Sequence, residues 1–189
     1  MEPLSKTSLR AQARARIAAL SAKERLDASS RICRRIAALA EWASSDLIAL
    51  FSAQPSEPNP AALMNASAKA FCFPRISGAM LDFHRCDSVD LLRPGLWRIL
   101  EPDPAHCPVI PPSEIDLLLI PGLAFTRSGA RLGRGRGFYD RFLDRVRPGA
   151  VKIGVCFQAQ LIDAVPVEIH DHAVHLIVTE AEVIRCAQS

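Results

Sequence analysis

The 189-residue chain has no apolar run approaching the roughly 18 residues that a membrane-spanning helix needs. Its first twenty residues, MEPLSKTSLRAQARARIAAL, lack the apolar stretch of a secretory signal, because charges fall in every turn. Their arginine-rich, amphipathic character also suits an organelle-targeting segment, a reading that Glu2 and the early onset of a folded pattern oppose. A cytoplasmic protein without membrane attachment is expected. None of the six cysteines stands in a C-x-x-C pair, so reduced thiols are expected, with Cys72 and Cys156 in apolar runs as small core hydrophobes. Internal repeats and low-complexity blocks are also missing. Glycine and proline, 9 and 14 residues, stay near average usage, which excludes a collagen-like or linker composition.

What is present is the composition of an ordinary globular protein, 49% hydrophobic and 23% charged, which rules out wholesale disorder. The length suits a single domain over residues 1–189. Apolar residues at helical spacing predict helices over 5–20 and 22–42, the second opened by Ser21 and Glu24 as a capping box. DLIALF (46–51) and DLLLIPG (116–122) are continuous apolar runs, the pattern of buried strands. Pro60 is placed to start a helix over AALMNASAKA. AFCFP (70–74), AMLDFHR (79–85), VKIGVCF (151–157) and AVHLIVT (173–179) read as further strands. A helix is expected over 135–146, and a short one over TEAEVIRC with Thr179 as its N-cap. Residues 87–115 hold six prolines and little periodicity, which suggests a functional loop or an excursion over a site. Strands alternating with helices, the best of them apolar throughout, predict a three-layer α/β/α fold with a mostly parallel, Rossmann-like open sheet.

Charge is distributed unevenly. Arginine outnumbers lysine 19 to 4, and seven arginines lie between Arg127 and Arg147 against only Asp140 and Asp144. Like charges so packed repel unless an anion is their partner. Within this stretch a buried strand ends at Pro121-Gly122, and Arg131-Leu132-Gly133-Arg134-Gly135-Arg136-Gly137 leads into a helix. Glycines permit close backbone approach and positive φ, and arginine forks match phosphate or carboxylate. A phosphate-binding loop is the favoured reading; an RGG-like nucleic-acid segment and a merely structural glycine turn stay open. His170-Asp171-His172 with His175 raises zinc, but in a strand positions 170 and 172 share a face that 175 does not.

The motif PGLAFxxxGxRLGxGxG[YF]YDRxL, which runs through residues 121–143, resembles the signature of the 5-formyltetrahydrofolate cyclo-ligase (5,10-methenyltetrahydrofolate synthetase) family. Shorter blocks resemble the family as well: Lys6-x-x-Leu9-Arg10, Phe51 to Glu57, Phe73-Pro74-Arg75, Glu101-Pro102, and Val165-Pro166 with His170-Asp171. The resemblance implies cyclisation of 5-formyltetrahydrofolate to 5,10-methenyltetrahydrofolate, with ATP as co-substrate, Mg2+ as cofactor, and release of ADP and phosphate. It implies that Lys6 and Arg10 contact ATP phosphates. Arg131, Leu132, Gly133, Arg134, Gly135, Arg136, Gly137, Phe138 and Tyr139 would form the ATP-binding loop. Residues Arg134 to Phe138 would also face the folate, with Arg134 and Tyr139 catalytic. Ser52 and Glu57 would line the substrate site, Glu57 bonding the pterin, and Asp140 and Asp171 match the magnesium carboxylates. Thr126, Phe138 and His175 depart from residues usual in the family, which has aspartate, tyrosine and aspartate there. The alternative is a non-catalytic member that binds a nucleotide, folate or RNA. The two carboxylates disfavour nucleic acid, and a monomer is expected.

Overall fold

The computed structural model describes residues 5–66 and 68–187. Glu2, and Ser67 within the helix expected after Pro60, lie outside the described residues. Helix α1, Lys6–Ala18, starts where Ser5 accepts the Ser8 amide, and it buries Leu9, Ala13 and Ile17, one residue per turn. Helix α2, Ala22–Ala37, opens with the capping box read from Ser21 and Glu24. The helix expected to reach residue 42 instead breaks at Ala38, and a separate turn, α3 (Ala40–Ala43), buries Trp42.

The strands in chain order are β1 (Leu47–Ala49), β2 (Ala70–Ser77), β3 (Met80–Arg85), β4 (Leu92–Pro94), β5 (Leu100–Pro102), β6 (Val109–Ile110), β7 (Leu117–Pro121), β8 (Ala124–Phe125) and β9 (Arg131–Leu132), followed by β10 (Val151–Val155), β11 (Leu176–Val178) and β12 (Val183–Arg185). Helix α4, Phe138–Leu143, lies between β9 and β10. The main sheet runs β12-β11-β10-β7-β1-β2-β3-β6. Its centre, from β11 to β2, is parallel, and the edges β12, β3 and β6 pair antiparallel.

The layers follow from strand alternation. Ile48, Phe71, Phe73, Leu117, Leu119, Ile153 and Val155 pack with Ile32, Ile36 and Trp42 of the first helices. On the other face, Ala49, Cys72, Leu118, Ile120 and Ile177 pack with Phe142 and Leu143 of α4. Phe142 is fully buried, its ring centroid 4.5 Å from that of Phe83. Truncating such a phenylalanine to alanine costs about 3–5 kcal/mol. Helix α1 covers neither face. It packs Leu9, Ala13 and Ile17 on Leu123, Ala124, Leu132 and Val165, beyond the carboxyl end of β7. Cys72 and Cys156 are fully buried, as their apolar surroundings indicated, and all six cysteines are free.

Several sequence expectations need correction. TEAEVIRC forms no helix: Thr179 Oγ1 accepts the Ala181 and Glu182 amides, as a cap does, but the chain then turns into β12. There Ile184 and Val183 pair with Ile177 and Val178, a partnership that suits β-branched residues. The segment after Pro60 is a 3-10 helix, Ala61–Ala66, rather than an α-helix. The helix expected over 135–146 is limited to α4, because Gly137 takes a left-handed conformation at φ 65° just before it. The strand expected over 173–179 covers only Leu176–Val178. Residues 170–172 form a turn and open chain rather than a strand. The proline-rich stretch 87–115 holds the β4–β5 hairpin, 3-10 turns and the short β6.

A candidate active site at the carboxyl ends of the central strands

Between β1 and β7 the strand order reverses: the chain runs outward to β2 on one side and through β7 to β10 and β11 on the other. Ligands of open α/β sheets bind at such a reversal, beyond the carboxyl ends of the strands. A cleft of about 680 Å³ lies there. Its walls hold Phe51 and Ser52 after β1, and Pro121 and Gly122 at the end of β7. Lys6, Arg10 and Arg14 of α1, the stretch Arg131–Asp140, and Asp171 complete the site. With Glu57, which also lines it, every residue given an ATP, folate or metal role by the resemblance lies in one cleft.

The loop is held from both sides. Arg131 belongs to β9, paired with β8, and its Nη2 donates to Asp140 Oδ1 at 2.5 Å. Arg10 Nε donates to the Gly133 carbonyl at 3.0 Å. Gly135 has φ 96°, and a Cβ there would lie 3.3 Å from the Arg10 guanidinium carbon, so a side chain would press on that arginine. Arg134, an exposed loop residue, reaches Glu57 Oε1 through Nη2 at 2.7 Å and Nε at 3.2 Å. Glu57 Oε2 accepts the Gln54 amide at 2.9 Å, which closes the turn after β1. The two Arg134 donors occupy Oε1, and Oε2 keeps a further lone pair for a ligand donor.

Electrostatics are set by these pairs. Lys6 Nζ lies 2.7 Å from Asp171 and 3.0 Å from Glu168. Burial lowers the ammonium, but the two carboxylates outweigh it and raise its pKa above the ordinary 10.5. Asp171 is pushed up by burial and, more strongly in sum, held down by Lys6 and the Glu168 amide, so it stays below the usual carboxylate value. Burial, assisted by the Glu57 charge, raises the Tyr139 phenol, which keeps its proton at neutral pH. Arg131 also lies over the Tyr139 ring, 5.6 Å from its centroid. Ser52 Oγ and Arg131 Nε are buried without hydrogen-bond partners among the described residues.

A model of the 5-formyltetrahydrofolate cyclo-ligase family matches residues 3–180. The chain belongs to this family. The mouse 5-formyltetrahydrofolate cyclo-ligase is 31% identical, over 93% of this chain and 94% of the mouse protein. The Mycolicibacterium smegmatis cyclo-ligase is 46% identical over a shorter span, 46% of this chain and 47% of its own length. The solved Aquifex aeolicus 5,10-methenyltetrahydrofolate synthetase superposes with a TM-score of 0.85 at 30% identity, covering 97% of this chain and 94% of that one. The Mycoplasma pneumoniae synthetase shares the fold at a TM-score of 0.74 and 23% identity, with 94% and 99% covered.

This cyclo-ligase is thus an enzyme of folate metabolism. Its three departures from the family pattern have partners within the fold. Thr126 is buried and accepts the Ala130 amide in the β8–β9 turn. Phe138 packs on Trp97, with centroids 6.2 Å apart, and lies under Arg141. His175 accepts the Lys152 amide. The histidines do not converge: His170 meets Glu168, while His172 bonds Asp144. Among the described residues no group of three or more His, Cys, Asp or Glu side chains is placed to hold a metal. That donor set disfavours zinc. It suits a hard dication that takes one or two carboxylates and completes its shell with water and phosphate, and Asp140 and Asp171 offer such oxygens.

The residues given site roles from the sequence leave out part of the wall. Arg14 lies four residues after Arg10 and so on the same helix face, a signal the spacing contained. Trp97, Ile99 and Glu101 come from the β4–β5 hairpin and line the cleft, and Trp97 and Arg98 adopt φ of 55° and 60° at its tip. Arg136 stacks on Trp97, 4.4 Å from its centroid. Glu168 and His170 complete the rim. No helix among the described residues is long and apolar enough to cross a membrane.

Proposed function

We propose that this cyclo-ligase closes 5-formyltetrahydrofolate to 5,10-methenyltetrahydrofolate, consuming ATP and releasing ADP and phosphate. The observation that supports the reading most is the meeting of Glu57 with the arginine and glycine loop. A carboxylate suited to the donor edge of a pterin there touches an arginine suited to a transferring phosphoryl group.

The chemistry requires such a meeting. A formamide oxygen is a poor leaving group. The oxygen bonds to the γ-phosphorus of ATP as the bond to the β,γ-bridging oxygen breaks and ADP leaves. N10 then bonds to the formyl carbon, the carbon–oxygen bond breaks, phosphate departs with the oxygen, and the N10 proton passes to solvent. This sequence needs positioning and charge neutralisation rather than a protein nucleophile. Lys6 and Arg10 hold phosphates from α1, and the loop Arg131 to Tyr139 surrounds the nucleotide. Arg134 neutralises charge on the transferring group, and the neutral Tyr139 hydroxyl supplies a proton donor beside it. Ser52 and Glu57 hold the folate. Asp140 and Asp171 are the residues that would hold Mg2+, which when bound neutralises phosphate charge.

The test is to mix the protein with 5-formyltetrahydrofolate, ATP and Mg2+ and follow methenyltetrahydrofolate absorbance. The reading expects absorbance that grows only when all three are present. Tight binding of folate or ATP without product would instead identify a non-catalytic binding protein.

A further inference from the structure

Both carboxylates suited to a metal are already held by cations. Asp171 Oδ2 accepts from Lys6 Nζ at 2.7 Å, and Glu168 Oε1 holds the same ammonium from 3.0 Å. Asp140 Oδ1 accepts from Arg131 Nη2, and the Arg131 side chain is only 5% exposed. Arg131 is also incompletely used. Its Nε is buried in the cleft wall with no partner among the described residues, so it has a donor to spare for an acceptor that a ligand would bring.

We propose that Lys6 and Arg131 act as internal counter-cations, keeping Asp171 and Asp140 closed to a divalent metal until phosphate oxygens draw them away, so that metal enters only together with nucleotide. The inference rests on the reading of this cleft as a nucleotide and magnesium site, and adds an order to it. A dication arriving alone must separate Asp171 from Lys6 and Asp140 from Arg131. It would leave a nearly buried guanidinium without its carboxylate, which is strongly unfavourable. It would gain little in exchange, because Mg2+ sheds water reluctantly for one or two carboxylates. A triphosphate changes both sides of that balance: its oxygens give Lys6 and Arg131 new partners, and the released carboxylates then favour the metal. Each ligand therefore strengthens the other's binding by the same factor. Glu168 is a positioning residue in this scheme, since its carboxylate holds the same ammonium as Asp171 does.

The experiment titrates Mn2+, a spectroscopic substitute for Mg2+, into the nucleotide-free protein and reads bound metal by electron paramagnetic resonance. Lys6→Met is expected to bind Mn2+ at least tenfold more tightly than wild type, and the gain is expected to vanish in Lys6→Met/Asp171→Asn. Arg131→Gln repeats the comparison at Asp140, so the outcome does not depend on one variant folding. Equal Mn2+ affinity in wild type and both single variants overturns the proposal. A separate titration uses Mg2+ and the ATP analogue with nitrogen in place of the β,γ-bridging oxygen. If wild type binds the analogue yet also binds Mn2+ alone as tightly as Lys6→Met does, the gating is wrong and the nucleotide reading stands. If the analogue with Mg2+ does not bind at all, the nucleotide reading fails and the gating with it.

Discussion

Glu57 and Arg134 stand 77 residues apart in sequence and are joined by two hydrogen bonds onto a single carboxylate oxygen, at 2.7 and 3.2 Å. The family resemblance makes Glu57 a folate contact, and in the structure its partner belongs to the arginine and glycine loop. Glu57→Gln should weaken folate binding by roughly 10- to 150-fold, the effect of a charged hydrogen bond of about 1.5–3 kcal/mol. It should also weaken ATP, by a smaller factor, through a loosened Arg134. Isothermal titration with each ligand checks both, and an ATP affinity identical to wild type would remove the coupling.

Arg134→Ala should lower turnover more than tenfold, since a charged donor beside the transferring phosphoryl group is lost. Its thermal midpoint should fall modestly, because Arg134 is exposed but the buried Glu57 loses its charged partner. In the double variant with Glu57→Gln the losses should fail to add, with a coupling of at least about 0.5 kcal/mol. Strict additivity in steady-state kinetics would mean the pair does not act as a unit.

Asp140→Asn and Asp171→Asn should each raise the Mg2+ concentration needed for half-maximal activity, since a neutral amide replaces a charged ligand oxygen. They should differ in stability. Asp140 neutralises Arg131, whose side chain is 5% exposed, whereas Asp171 meets a Lys6 that is 21% exposed. Asp140→Asn is therefore expected to cost up to about 3 kcal/mol and Asp171→Asn well under half of that, measured by denaturant unfolding. Equal destabilisation would contradict the assignment of Arg131 as the more deeply buried cation.

Burial first, and the Lys152 charge second, hold the His175 pKa below the ordinary 6.5. Between that depressed value and 6.5 the unfolded chain binds more protons than the folded one, so stability falls as pH drops through this window and then levels. Protonation also removes the Nδ1 acceptor from the Lys152 amide. His175→Asn keeps an acceptor without titrating. Its thermal midpoint should fall less than that of wild type between pH 7 and pH 5, and parallel curves would show that His175 is not responsible.

The parts of this molecule legible in its sequence are those governed by local chemistry. The capping box of α2 follows from Ser21 and Glu24, and β7 is legible from an unbroken apolar run. The cleft residues are legible because the motif from Pro121 to Leu143 is long. What was hidden depends on distant partners. Thr179 reads as a helix cap, and its side chain does bond two amides, but pairing with β11 turns the following residues into a strand. Trp97 lies in a proline-rich stretch without periodicity, and only the folded hairpin carries it to Arg136. The ion pairs Lys6–Asp171 and Glu57–Arg134 span 165 and 77 residues, distances at which charge patterning gives no signal.

The central claim is that ATP activates the formyl oxygen itself. The direct measurement uses 5-formyltetrahydrofolate labelled with 18O in the formyl group, in unlabelled water, and determines the isotope content of the released phosphate by mass spectrometry. The account predicts one 18O atom in each phosphate, formed in step with methenyltetrahydrofolate. Phosphate free of label, with the product still forming, would contradict it.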